Sequence, residues 1–316
     1  MLRTLHIAAA VAAALALAAA GAHAAPKGKD KEKDKGYVFA AIGHTGSNDK
    51  QLVEAIGEAE EARVEFIVAT GVKSEKEPCS DKLYTERRKL LNDAKRPVIV
   101  SLAASDWTGC RNSAGRTNAI ERLNRLRELY FFDADSLGKK KLELKRLSAS
   151  EKFRSYAENA HWEVDGVLYA TVNVPSDNNH FLRAAGRNSE YEDRLVANRS
   201  WLRRLFALAR QRELNALVLF TEADISAPPG EKPAADDGFA ELRKQLDAQS
   251  KRYKGKLLLV DSAPLDKDAR PEIEWRGNIG HLSLGASSAL LRVTPGADTR
   301  FSLAEPEPHP KARKKP

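Results

Sequence analysis

The side chains able to do chemistry stand just past apolar runs. His44 follows YVFAAIG, and Asp106, with Ser105 beside it, follows RPVIVSLAA. Asn178 and Asn179 follow VLYATVNVPSD, Glu222 and Asp224 follow LNALVLFT, and Asp261 follows KLLLV. In open α/β sheets ligands sit outside the carboxyl ends of strands, so this spacing gathers an imidazole, carboxylates and amides around one sheet edge. Those groups suit acid–base chemistry or metal ligation. The supply is thin, however. The turn Ala103-Ala104-Ser105-Asp106 offers two methyl groups, a hydroxyl and one carboxylate. Ser105 has no Gly-x-Ser-x-Gly elbow, which argues against a serine hydrolase. No glycine-rich phosphate loop or dinucleotide fingerprint is present.

The elements that must position these residues follow from periodicity. Continuous apolar runs predict buried strands at Tyr37–Ile42, Val64–Ala69, Pro97–Leu102, Leu214–Thr221 and Lys256–Val260. Spacings of three and four predict helices over Asp81–Ala94, Asn118–Phe131, Glu190–Gln211 and Phe239–Arg252. Asp165-Gly166 predicts a hairpin joining Tyr156–Trp162 to Val167–Val174, and two short strands, Ala289–Val293 and Thr299–Leu303, close the chain. Strand–helix–strand order implies parallel, right-handed crossovers. The expected fold class is α/β, with two packed mixed β-sheets flanked by helices.

The ends of the chain read differently. Arg3, the apolar run Ile7–Ala20 and the small-x-small triplet Ala22-His23-Ala24 predict a signal peptide over 1–24, with cleavage after Ala24 and a periplasmic or secreted product. Residues 25–36 form a charged flexible linker with nothing to bury. The globular domain is expected over 37–304 and a basic, proline-containing tail over 305–316. The formal charge of +8 owes part of its excess to Lys311, Arg313, Lys314 and Lys315 in that tail. Such a tail is solvated by default, and a salt-sensitive contact with an anionic partner is the alternative. No membrane span is expected in the mature chain. An even cysteine count in an oxidising compartment reads as one disulfide, Cys79–Cys110, against the alternative of two separate thiols.

Several stretches carry a family resemblance: FAAIGHTGS, FIVATGVKSEKEPCSDKLYTERRKLLND, RPVIVSLAASDWTGC, ERLNRLRELYF, YAENAHWEVDGVLYATVNVPSDNN, EYEDRLVANRSWL, LVLFTEAD and KLLLVDSAPL. Together they resemble the calcineurin-like metallophosphoesterases, in particular an exported bacterial branch. The resemblance implies a two-sheet phosphoesterase sandwich and hydrolysis by two divalent ions such as manganese, iron or zinc. The ligand motifs depart from the family pattern. His44 stands at the aspartate of Gly-Asp-x-His, and Gly46 at its histidine. Gly71 replaces the bridging aspartate, and neither Val72 nor Lys73 is a substitute. Ala104 and Ser105 occupy the next ligand and catalytic positions, with only the acid Asp106 kept. Glu222 or Asp224 stands for a histidine, and Asp261-Ser262-Ala263-Pro264-Leu265 for Gly-His-x-His. His281 lies beyond that last motif and is expected to be a loop histidine.

Two metal ions cannot be held by one imidazole and scattered carboxylates. The expected function is therefore a non-catalytic phosphoesterase-fold protein with no metal cofactor. It would bind a small anionic ligand or a protein partner, rather than nucleic acid, through a cleft lined by His44, Ser105, Asp106, Asn178, Asn179, Glu222, Asp224 and Asp261. The alternative is a hydrolase with a rebuilt one-metal site drawn from His44, Asp106, Glu222, Asp224 and Asp261. His44 and Asp106 are the catalytic candidates in that case.

Overall fold

The computed structural model describes residues 36–43, 49–183, 188–227, 236–296 and 298–304. The expected signal peptide, nearly all of the expected linker, the expected basic tail and His44 lie outside them. The described residues form two mixed sheets. The first has the order β12-β11-β1-β2-β3, from β1 (Tyr37–Ile42), β2 (Ile67–Thr70), β3 (Val98–Ser101), β11 (Ser288–Thr294) and β12 (Arg300–Leu303). The second has the order β4-β5-β6-β7-β8-β10-β9. Its strands are β4 (Lys145–Arg146), β5 (Ala160–Val164), β6 (Val167–Thr171), β7 (Ala216–Phe220), β8 (Lys256–Asp261), β9 (Glu274–Arg276) and β10 (Ile279–Ser283). In the first sheet β1, β2 and β3 run parallel. In the second β6, β7, β8 and β10 do so.

Side-chain alternation along each strand explains the layering. Phe39, Phe66, Val68, Tyr169, Val218, Phe220, Leu258 and Val260 enter one core shared by both sheets. Phe39 stacks on Phe66 at 5.1 Å and meets Tyr169 edge-on at 5.4 Å. The intervening residues of the first sheet, Ala40, Ile42, Ile67 and Ala69, pack with α1 (Asp49–Glu61), α2 (Asp81–Asp93) and α4 (Ala119–Tyr130). Leu168, Leu217, Leu219, Leu257 and Leu259 pack with α5 (Ser189–Gln211) and α6 (Ala240–Ser250). Strands buried on both faces must be apolar throughout, as these are. The fold is thus α/β with two packed mixed sheets flanked by helices, as expected.

Some elements depart from the sequence reading: the strand expected over Tyr156–Trp162 is Ala160–Val164, and β4 and β9 are unexpected. The expected turn after β3 is a short helix, α3 (Ala104–Trp107). The expected loop around His281 is β10, bonded on one side to β8 and on the other to β9. The cysteines form the expected disulfide, Cys79–Cys110, with Cα atoms 5.8 Å apart. Neither sheet ends in a long open strand. β4 has two residues and β9 three, while Val98 of β3 exchanges both backbone bonds with Leu137 at 2.9 Å.

Candidate functional site

The loops leaving β2, β3, β6 and β7 meet at one place, and two carboxylates hold them there. Asp106 is fully buried. Its Oδ1 accepts the backbone N–H groups of Val72 at 2.8 Å and Lys73 at 3.1 Å, and its Oδ2 accepts that of Ala103 at 2.8 Å. Asp106 therefore ties the loop after β2 to the start of α3. Oε2 of Glu222, just past β7, accepts Ala104 N–H at 2.6 Å and Ser176 N–H at 2.7 Å. One side chain of the second sheet thus grips the loop after β3 in the first sheet and the loop after β6 in its own. Charged acceptors make backbone bonds of this kind short and strong.

Lys73 has no standing in the sequence as a metal ligand, yet it is 4% exposed and central to this crossing. Its Nζ donates to the carbonyls of Ser74 at 2.7 Å and Ser105 at 2.6 Å, and the Ser105 hydroxyl donates to the Lys73 carbonyl at 2.8 Å. Burial lowers the Lys73 pKa, with Asp106 and Glu77 opposing. Gly71 adopts φ 78°, a left-handed conformation that glycine accepts without strain, and its N–H reaches the Ser101 carbonyl at 2.7 Å.

Asn178 and Asn179 belong to a neighbouring arrangement. With His180 they form three successive residues at positive φ: 42°, 54° and 53°. Their side chains fasten this turn to the 236–238 segment: Asn178 Nδ2 donates to the Asp236 carbonyl and Asn179 Nδ2 to that of Gly238, both at 2.9 Å. The fully buried Arg194 of α5 holds the turn from beneath, bonding the Asn179 carbonyl at 2.8 Å and Glu190 at 2.7 Å. Burial pushes the Glu190 carboxyl up, but His180 and Arg194 outweigh it and hold it at about 2. The Trp107 ring packs edge-on to His180 at 4.7 Å and lies 5.6 Å from the Arg194 guanidinium. The segments 79–81, 107–110 and 176–180 are therefore one physical unit, joined by the Cys79–Cys110 disulfide and by the packing of Trp107 on His180. The two asparagines shape this loop.

Asp224 and Asp261 join a residue that the sequence reading sets aside. His281 Nε2 lies 2.7 Å from Asp261 Oδ2 and 3.5 Å from Asp224 Oδ1. The hydrogen bond to Asp261 raises the His281 pKa, against burial. The expectation of a loop histidine fails because His281 alternates with the inward Leu282 along β10, which sends its ring to the helix side, where Asp261 also points. Burial along the strand alternates accordingly: Ile279, His281 and Ser283 are half-buried while Gly280 and Leu282 are buried.

The sequence-predicted set thus divides. Ser105, Asp106 and Glu222 share the loop crossing; Asp224 and Asp261 share His281; Asn178 and Asn179 sit with Arg194. Among the described residues, the crossing does not supply the ligands that two divalent ions need. Gly71 and Ala104 offer no ligand atom, and the Asp106 and Glu222 oxygens named above accept backbone N–H groups. Among the described residues, Asp224, Asp261 and His281 are the group with metal-ligating geometry.

Fold and site together define an α/β two-sheet sandwich whose strand-end loops are cross-linked by carboxylate-to-backbone bonds. No family model matches the chain, and no curated protein matches it. Among solved structures it is similar to TT1561 of Thermus thermophilus, with 10% identity, a TM-score of 0.44, and coverage of 85% of this chain and 99% of that one. The architecture given above rests on the chain's own strand pairings.

Proposed function

We propose that this chain is an exported, non-catalytic phosphoesterase-fold protein that binds a small anionic ligand or a protein partner. The observation that carries the reading is the internal use of the two acids at the loop crossing. Asp106 and Glu222 accept five backbone N–H groups between them. Two-metal hydrolysis uses cations to generate hydroxide and offset phosphate charge. A rebuilt centre using these acids would have to share their oxygens with those donors, and Gly71 and Ala104 beside them add no side-chain ligand. The buried ammonium of Lys73 at the same crossing also repels an incoming cation. Export rests on the N-terminal sequence pattern. Among the described residues no helix is long and apolar enough to cross a membrane.

The test is turnover. Purified mature protein, given manganese, iron or zinc, is expected to leave aryl phosphate mono- and diesters unhydrolysed. Hydrolysis that a chelator abolishes and that His44→Ala removes would overturn the reading. Export is checked by fractionating cells that express the full chain: mature protein retained in the cytoplasm counts against it.

A further inference from the structure

The geometry points to a single transition-metal site at Asp224, Asp261 and His281, on the helix-side face of the second sheet. It goes beyond the function proposed above, since a cation held here requires no turnover. Three elements supply the ligands: the loop after β7, the last residue of β8, and the middle of β10. One ligand atom from each lies within 4.8 Å of the other two. Around a tetrahedral zinc with bonds of about 2.0–2.2 Å, ligand atoms stand roughly 3.3 Å apart. The observed Nε2–carboxylate separations of 2.7 and 3.5 Å bracket that value. A modest rotation of His281 and Asp224 therefore suffices to admit an ion.

Charge and support agree with this assignment. Two aspartates and a neutral imidazole carry two negative charges, which a divalent ion neutralises. Each carboxylate is oriented by donors outside the trio. Asp261 Oδ1 accepts the Ser283 hydroxyl at 2.7 Å and Ala263 N–H at 2.9 Å. Asp224 Oδ1 accepts Ser226 N–H and hydroxyl, both at 2.6 Å, and Ala227 N–H at 3.1 Å. Outer partners of this kind fix ligand orientation in metal sites. Access is open, since the His281 and Asp224 side chains are 25% and 21% exposed while Asp261 is buried at 1%. Water can therefore complete the coordination. An imidazole nitrogen beside carboxylates selects zinc or another first-row ion over calcium or magnesium, which prefer oxygen alone. The nearby Arg243 guanidinium is already paired with Asp237.

Calorimetric titration of metal-stripped protein with zinc chloride, and separately with calcium chloride, tests the site. The expected result is one zinc ion per chain, bound more tightly than calcium. His281→Ala is expected to weaken zinc by at least ~100-fold, the scale that loss of outer partners alone can reach. Asp224→Asn, which keeps an oxygen for the loop donors of Ser226 and Ala227, should weaken it by at least ~10-fold. Cobalt substitution supplies an independent readout: nitrogen ligation alters its visible absorption in wild type but not in His281→Ala. Absence of zinc binding, calcium bound as tightly as zinc, or zinc affinity that survives His281→Ala would each overturn the assignment. Turnover is scored separately: zinc bound without hydrolysis leaves both readings standing, and hydrolysis that survives His281→Ala overturns only the non-catalytic one.

Discussion

Replacing Asp106 by asparagine separates a structural acid from a metal ligand. The side chain is fully buried and serves three backbone donors: Val72, Lys73 and Ala103. Asparagine keeps one carbonyl oxygen, enough for the Val72 and Lys73 N–H groups. Its amide then faces the Ala103 N–H, donor against donor, in a buried place. A hydrogen bond to a charged group is worth about 1.5–3 kcal/mol, and a stranded buried donor costs a similar amount. Asp106→Asn should therefore destabilise by about 2–3 kcal/mol, and Asp106→Ala, which strands all three donors, by about 4–6 kcal/mol. In a domain of this size each kcal/mol moves the melting temperature by about 2–4 °C, so the asparagine variant should melt about 5–10 °C lower. Urea unfolding and thermal melts of metal-stripped protein provide the measurement. A melting temperature within ~2 °C of wild type would refute the structural role. Stabilisation would refute it more strongly, because relief of charge crowding is what a vacant metal ligand would show.

Glu222→Gln should cost less than Glu222→Ala, by about 1–2 kcal/mol in urea unfolding, since the glutamine carbonyl oxygen can take the place of Oε2 and accept both Ala104 and Ser176; equal losses would exclude Oε2 as the shared acceptor. Reducing Cys79–Cys110, or replacing both cysteines by serine, should remove about 3–4 kcal/mol on the loop-entropy model, and unchanged stability under reductant would count against that contribution. Burial first, then Arg204, Lys145 and Arg212, hold the His161 pKa down to about 4. The unfolded chain therefore takes up a proton between about pH 6.5 and 4 that the native state refuses, and stability falls by up to about 3 kcal/mol across that window as pH drops. NMR titration of the ring checks this, and a midpoint near 6.5 would refute it. Glu190, held at about 2, contributes stability that is present above pH ~4.5 and is lost as pH falls towards 2. Glu190→Gln should flatten the acid limb of the stability curve, and an unaltered limb would show that the ion pair with Arg194 does not shape it.

The layers of this protein were legible because strands buried on both faces must be apolar, and runs such as LNALVLFT and KLLLV are. Helix faces such as Leu123, Leu126 and Tyr130 were equally plain. The site was legible only as a set of residue types. That Glu222 would reach Ala104, 118 positions away, depends on how two sheets stack, and no local pattern encodes that stacking. Lys73 gives no local signal because a lysine next to a turn usually points into water, whereas this one finds two carbonyls. His281 escapes notice for a different reason. Its strand is short and follows a stretch rich in proline, aspartate and charge, so the alternation of NIGHLS looks irregular. The aspartates stand out as candidates, but the histidine nearest a strand end in the motifs is His44, which draws attention from their common partner.

The short outer strands bear on how the protein behaves when crowded. Fibril growth by strand addition needs a long, bare rim of unpaired peptide groups. Here one sheet tapers to Lys145–Arg146 at one side and to the charge-flanked Glu274–Arg276 at the other, while β12 presents Arg300. Such short borders offer an approaching copy few rungs to climb. Among the described residues, these outer strands offer little bare edge for strand addition.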